Sequence, residues 1–169
     1  MPRKDENIGP LTGVRVLDLT INVLGPVATQ ILGDLGAEVI KVETPSGDPM
    51  RLIGSSKTGM LGPFFQTTNR NKKSVVLDLK NIEEKNALLK IAVGCDVFVH
   101  NMRQAATKRL GIDYKNLKQA APKIIYASAT GYRRNSPKDG RPAYDDVIQG
   151  ESGLVDLIDK TNGEARFVP

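Results

Sequence analysis

The sequence has no tryptophan, one histidine and one cysteine, and aromatic residues make up 5% of its 169 positions. Each shortage removes a class of function. Cys95 alone cannot form an internal disulfide, which fits a reducing cytoplasm. His100 alone cannot build a His-rich metal site or a multi-histidine proton relay, so no metal is expected. So few aromatic rings leave little with which to stack bases, and no nucleic-acid partner is expected. No apolar run approaches a membrane span, and the opening MPRKDENIG lacks the apolar centre of a signal peptide. The G-x-G-x-x-G fingerprint, the P-loop, the G-x-S-x-G elbow and the C-x-x-C pair are all missing. What remains is ordinary globular material, 40% hydrophobic and 25% charged. Its net charge of +5 favours anionic partners such as phosphates and is too small to demand nucleic acid.

The stretch VRVLDLTINVLGPVATQILGDLGAEVIKVE, residues 14–43, reads as strand, turn, helix, strand. Gly25 and Pro26 punctuate it, with proline in the first helical position. Val27, Ile31, Leu32 and Leu35 recur at helical spacing, and Gly36 follows as a left-handed cap. Two apolar strands joined by one helix form a parallel βαβ unit, because a parallel pair needs a crossover. A flexible lead is expected over residues 1–9 and a long loop over 44–62. Further strands are expected at 73–79, 96–100 and 123–128. Helices are expected at 64–68, 105–110 and 114–120, at 144–150, and after Asn81, with Glu84 as its capping-box partner. Residues 131–142, polar and basic, read as an exposed loop. Alternating strands and helices imply an α/β fold, a doubly wound, mostly parallel sheet with Rossmann-like units.

Glu43 ends the second strand where an acid would hold a nicotinamide ribose. Without the glycine fingerprint a nicotinamide-dependent enzyme is disfavoured, no NAD is expected, and Glu43 reads as a solvated strand end. Cys95 reads as a packing residue, with no histidine or helix N-terminus evidently beside it to activate a thiolate.

The segments LTGVRVLDLT, GPVATQILGDLGAEVIKVETPSGDPMR, NRNKKSVVLDLK, DVFVHNMR, RLGIDY, PKIIYASATGY and AYDDVIQGESGL, in that order and spacing, resemble the family III CoA-transferases. That family includes formyl-CoA transferase, carnitine CoA-transferase and the α-methylacyl-CoA racemases. The resemblance implies an N-terminal CoA-binding α/β domain over residues 10–169, with the second domain and a C-terminal return segment absent. It implies an acyl-CoA and a carboxylic acid as substrates, and interlocked homodimers. In the transferases an aspartate attacks the thioester, and CoA passes to a second acid through covalent intermediates. That aspartate is expected after Pro169, so no catalytic residue is assigned within the chain, and the chain alone is expected to be inactive. A cytoplasmic protein is expected, one that associates with itself or with a complementary chain.

Carried over by matching positions, the resemblance implies CoA contacts at Leu77, Lys80, Asn101, Met102, Arg109 and Tyr144. From the residues alone, Lys80 is a solvated lysine at a strand end, Arg109 a cation favoured by a helix C-terminus, and Tyr144 a half-buried residue at a helix start. Lys72 and Lys73 are adjacent positive charges, open to a phosphate contact or to a surface role. The family pattern Asn-aromatic-Arg-Pro-Gly is Asn101-Met102-Arg103-Gln104-Ala105 here, which alters that wall. Tyr144 stands where racemase members carry a histidine, and Val23 where formyl-CoA transferase carries a glutamine. Both departures weigh against those two activities. A non-catalytic CoA-binding or regulatory module of the same fold is the alternative.

Overall fold

The computed structural model describes residues 9–57, 59–163 and 166–168. The lead expected over residues 1–9 falls almost wholly outside them. The chain divides into two compact units, Met1–Ala129 and Thr130–Pro169.

The first unit is a five-stranded sheet of β1 (Arg15–Leu19), β2 (Glu38–Glu43), β3 (Lys72–Val76), β4 (Val97–His100) and β5 (Ile125–Ser128). The strands are ordered β3-β2-β1-β4-β5 and every pair is parallel. Helices α1 (Leu24–Asp34), α2 (Pro63–Thr68), α3 (Ile82–Val93), α4 (Gln104–Leu110) and α5 (Tyr114–Ala120) fill the connections. The expected α/β, doubly wound parallel sheet is present, and helices cover both of its faces. Leu17, Leu88, Phe98, Ile112 and Leu117 pack under α3 and α5 on one face, and Val16, Ala37, Val39 and Val99 with Leu32 of α1 on the other.

Local signals act largely where the sequence places them. Asn81 Oδ1 accepts from the Glu83 and Glu84 N–H groups, and Asp113 Oδ1 from those of Lys115 and Asn116. Gly36 and Gly111 close α1 and α4 at φ 102° and 70°. Four details differ. Glu84 reaches past its own cap to the Asp78 N–H, at 2.6 Å, because the Asn81 N–H is already bonded to the Asp78 carbonyl. The third strand ends at Val76, after which the chain turns over Asp78, whose Oδ1 accepts from the Lys80 N–H. Residues 44–62 contain a 3-10 turn, Pro49–Leu52, capped by Asp48. Helix α1 begins at Leu24, so Pro26 is its third residue.

The larger surprise is which face of α1 is buried. Gly25, Pro26, Thr29, Gln30 and Gly33 face inward, whereas Ile31 and Leu35 are 51% and 40% exposed. The cause lies beneath the helix. Asp18 of β1 and Lys72 of β3 form an ion pair at 3.1 Å with side chains 0% and 2% exposed. The Thr29 hydroxyl donates to Asp18 Oδ2 at 2.6 Å, and Lys72 Nζ donates to Thr29, to the Pro26 carbonyl and to Asn69 Oδ1. Burial pushes the Lys72 ammonium below the ordinary lysine range while Asp18 opposes the shift. Lys72 is therefore a buried structural charge. Lys73 is exposed and pairs with Glu38. Gly25 is required by closeness: a Cβ there would lie 2.3 Å from Thr20 Cβ.

Beside this pair lies a second group. Lys41 Nζ meets Asp48 Oδ2 at 2.9 Å, with side chains 1% and 0% exposed. Glu43 is also buried, contrary to its reading as a solvated strand end. It accepts from Arg51 Nε and Nη2, both at 2.7 Å, from Ser74 Oγ at 2.8 Å and from the Asp48 N–H at 3.1 Å. The Arg51 guanidinium lies 3.8 Å from the centroid of the Phe65 ring.

The second unit contains α6 (Asp145–Glu151) and α7 (Leu154–Asn162), after the irregular residues 131–142. Buried Gln149 donates to the Val168 carbonyl and accepts from the Val168 N–H, pinning the following segment. Leu157 and Phe167 are 61% and 59% exposed. No described helix is long and apolar enough to cross a membrane.

Glu43 yields a prediction. Burial by itself raises the pKa of this carboxyl, but the bonds from Arg51, Ser74 and Asp48 prevail and lower it from 4.5 to about 2. A depressed carboxylate stabilises the fold fully above the unfolded value and loses that contribution as pH falls from about 4.5 to about 2. Glu43→Gln should lower stability at pH 7 by on the order of 3 kcal/mol. It should also flatten the acid limb of urea unfolding across that window. An acid limb as steep as that of the parent would show that Glu43 does not carry this dependence.

Candidate functional site

In an open parallel sheet, ligands bind beyond the C-terminal strand ends, where the strand order reverses. Here that place is the gap between β1 and β4, from which the chain leaves toward β2 on one side and β5 on the other.

Residues 20–23, between β1 and α1, rim the gap. Their main chain is held by side chains at five successive groups. The Thr20 N–H donates to Asp18 Oδ1 at 2.9 Å, and the Thr20 carbonyl accepts from Lys41 Nζ at 2.8 Å. The Ile21 N–H donates to Asn101 Oδ1 at 3.0 Å, and the Ile21 carbonyl accepts from Asn101 Nδ2 at 2.8 Å. The Asn22 N–H donates to Asp48 Oδ1 at 3.3 Å. Asn22 adopts φ 67°, a left-handed conformation that asparagine tolerates better than most residues.

Asn101 thus stands at the switch point. Its amide makes the two-bond contact with Ile21 that a neighbouring strand would make. Met102 follows it, half-buried against the α3–α5 core, with its N–H donating to Nδ1 of His100 at 3.1 Å. His100 is 1% exposed, with its ring 5.1 Å from that of Tyr126. Cys95 is buried and its sulfur donates to the Ile91 carbonyl; burial pushes its thiol pKa up, which suits packing rather than nucleophilic attack.

The remaining expected residues are more dispersed. The Leu77 N–H extends the sheet to the Glu43 carbonyl, while its side chain joins the core at 8% exposure, so that side chain is wall rather than surface. Lys80 is exposed just beyond β3, between the Asp78 turn and the start of α3. Arg109 is exposed in the last turn of α4, after β4. Lys85 of α3 reaches the same helix end, its ammonium 3.7 Å from where a Cβ on Gly111 would sit. The strands preceding Lys80 and Arg109 have β2 and β1 between them in the sheet. Tyr144 belongs to the second unit, where it precedes α6 and is 64% exposed, more open than a half-buried helix start.

Sequence reasoning missed Asp18, Lys41, Asp48 and Lys72. A signal existed: a charge in the middle of each of two apolar strands, LDL and IKV, at positions that the parallel register places side by side. Two opposite charges at adjacent interior positions point to a buried ionic group rather than to a solvated edge. Among the described residues no group of three or more His, Cys, Asp or Glu could hold a metal ion.

Comparison with known proteins agrees with the geometry. The family model described as CoA-transferase family III matches residues 11–168. Succinyl-CoA:glutarate CoA-transferase of Homo sapiens is 42% identical over 165 residues, covering 96% of this chain and 38% of the human protein. The crystal structure of a CAIB/BAIF family protein from Brucella suis superimposes with a TM-score of 0.88 at 34% identity, covering 95% of this chain and 43% of that one. A Mycobacterium tuberculosis crystal structure does so with a TM-score of 0.86 at 40% identity, covering 96% and 45%. The chain spans about two fifths of the length of these relatives. With a family match over nearly all of its residues, on a sheet that superimposes on solved members, the chain belongs to CoA-transferase family III.

Proposed function

We propose that this chain is the N-terminal, CoA-binding part of an acyl-CoA transferase that moves CoA between carboxylic acids. We place the nucleotide of CoA over the C-terminal strand ends. The observation that carries the reading is the switch-point gap with its braced β1–α1 loop, in a chain that belongs to this family. Exposed Lys80 and Arg109 are the proposed phosphate contacts, Lys80 as a point charge and Arg109 with its fork of donors. Asn101 and Met102 are the proposed contacts at the gap, and Leu77 a proposed contact beyond β3, on the same side of the sheet order as Lys80.

Two features favour CoA over a nicotinamide dinucleotide. The glycine fingerprint is missing, and the Glu43 carboxylate, placed where a ribose would be held, is already committed to Arg51, Ser74 and Asp48.

For the whole protein, the proposed chemistry is attack by an aspartate carboxylate on the acyl-CoA thioester. The released thiolate attacks the aspartyl carbonyl of the resulting mixed anhydride, which frees the first carboxylate and leaves an aspartyl–CoA thioester. The second carboxylate attacks that thioester, and the thiolate then takes the new acyl group and restores the aspartate. Within this chain, Asp18 and Asp48 are sealed in ion pairs and Asp34 is bound by Arg70 and Asn71, so none of the three presents a carboxylate to a thioester. We therefore assign acyl transfer to none of these three, and CoA binding to Lys80, Arg109, Asn101 and Met102.

Titration calorimetry should show CoA binding that weakens as salt rises, since exposed charges are screened. NAD should bind more weakly than CoA; the reverse order would sink the assignment. Lys80→Ala and Arg109→Ala should each cost roughly 1 kcal/mol of CoA binding, about fivefold in affinity. Thermal unfolding should register less than about 0.5 kcal/mol for either change. A variant that fails to fold would mean its charge is structural instead.

A further inference from the structure

We infer that the buried Lys41–Asp48 pair is a positioning device for the ligand site, holding the loop after β1 in the conformation that receives CoA. The inference rests on the CoA-binding reading above.

The pair joins three elements. Lys41 comes from the interior of β2, Asp48 caps the 3-10 turn that follows β2, and both reach across to the loop after β1. Lys41 Nζ donates to the Thr20 carbonyl at 2.8 Å and to Asp48 Oδ2 at 2.9 Å. Asp48 Oδ1 accepts from the Asn22 N–H at 3.3 Å and from the Met50 N–H at 3.0 Å. Each charged group therefore spends one contact on its partner and another on the loop.

Stability alone gives a poor reason for such a pair. Two charges taken out of water are commonly replaceable by apolar residues at little or no cost to the fold. Their geometry supplies another reason. Asn22 sits at φ 67° beside the tethered Ile21, with Ile21 and Val23 39% and 44% exposed on either side of it. A short loop in that conformation keeps its position only while its surroundings hold it. Holding a binding loop in place before the ligand arrives improves affinity by reducing the ordering cost of binding. Neither side chain reaches the surface, with exposures of 1% and 0%, so an effect of either on CoA must pass through the segments they hold, the loop after β1 and the 3-10 turn after β2.

The test is the double variant Lys41→Met/Asp48→Ala, which removes both tethers and leaves no buried charge alone. The flexible methionine occupies much of the vacated space. The expected result is a folded chain whose Asn22 amide loses hydrogen-exchange protection and whose CoA affinity falls about tenfold or more. Lys41→Gln/Asp48→Asn keeps a donor facing Thr20 and an acceptor facing Asn22 and leaves no buried charge alone. It should retain the Asn22 amide's protection and bind CoA within about twofold of the parent. It also serves should Lys41→Met/Asp48→Ala not fold. Affinity unchanged in Lys41→Met/Asp48→Ala despite lost protection would overturn the inference. So would Asn22 protection surviving loss of the pair in Lys41→Met/Asp48→Ala, or a large affinity loss in Lys41→Gln/Asp48→Asn with protection intact. A parent chain that takes up no CoA would instead overturn the binding reading.

Discussion

The structure depends on charges that have been taken out of water. Desolvating an ion costs several kcal/mol even in a relaxed protein, so Asp18, Lys72, Lys41 and Asp48 are tolerable inside only because they are paired and hydrogen-bonded. Lys72 Nζ has acceptors in Asp18, Pro26, Thr29 and Asn69, drawn from a strand, a helix and a turn. A one-residue slip of any contributing strand would send its side chain to the opposite face of the sheet and leave the partner charge unpaired. Register, helix seating and the path after β2 are thus coupled through a few polar atoms.

That coupling explains why α1 docks through small and polar residues. Thr29 must reach Asp18, and Gly25 must pass so close to Thr20 that no side chain fits. The helix consequently turns Leu24, Ile31 and Leu35 outward, with Leu24 70% exposed. The buried polar contacts also leave the loop after β1 braced at the gap between β1 and β4. Asn101 completes the brace from the end of β4, its amide continuing the contact with the chain after β1 where the β1–β4 ladder stops.

The cations of this domain divide by burial. Lys41 and Lys72 are bonded to carboxylates and carbonyls inside, and have little left to give to an anion. Lys80 and Arg109 lie at the surface, where a phosphate can be met without breaking an internal bond. Adjacent lysines in the sequence, Lys72 and Lys73, fall on opposite sides of this division, because successive residues of a strand point to opposite faces.

Much of the fold was legible from the chain alone. Strand and helix order, the parallel crossovers, the Asn81 and Asp113 caps and the glycines closing α1 and α4 all depend on residues close together in sequence, and local chemistry decides them. The order and spacing of the motifs likewise sufficed to identify the family. The buried face of α1, the fate of Glu43, the burial of Lys72 and the bracing of residues 20–23 were not legible in this way. Each depends on which distant side chain the sheet brings opposite: Arg51 and Ser74 for Glu43, Asp18 for Lys72, Asn101 for Ile21. Periodicity records how apolar a helix face is, but it cannot record that a neighbouring strand will place an ion pair beneath it. The sequence by itself determined the elements and their order. The tertiary structure decided which charges lie inside, because only a partner brought within hydrogen-bonding distance by the fold makes a charge there affordable.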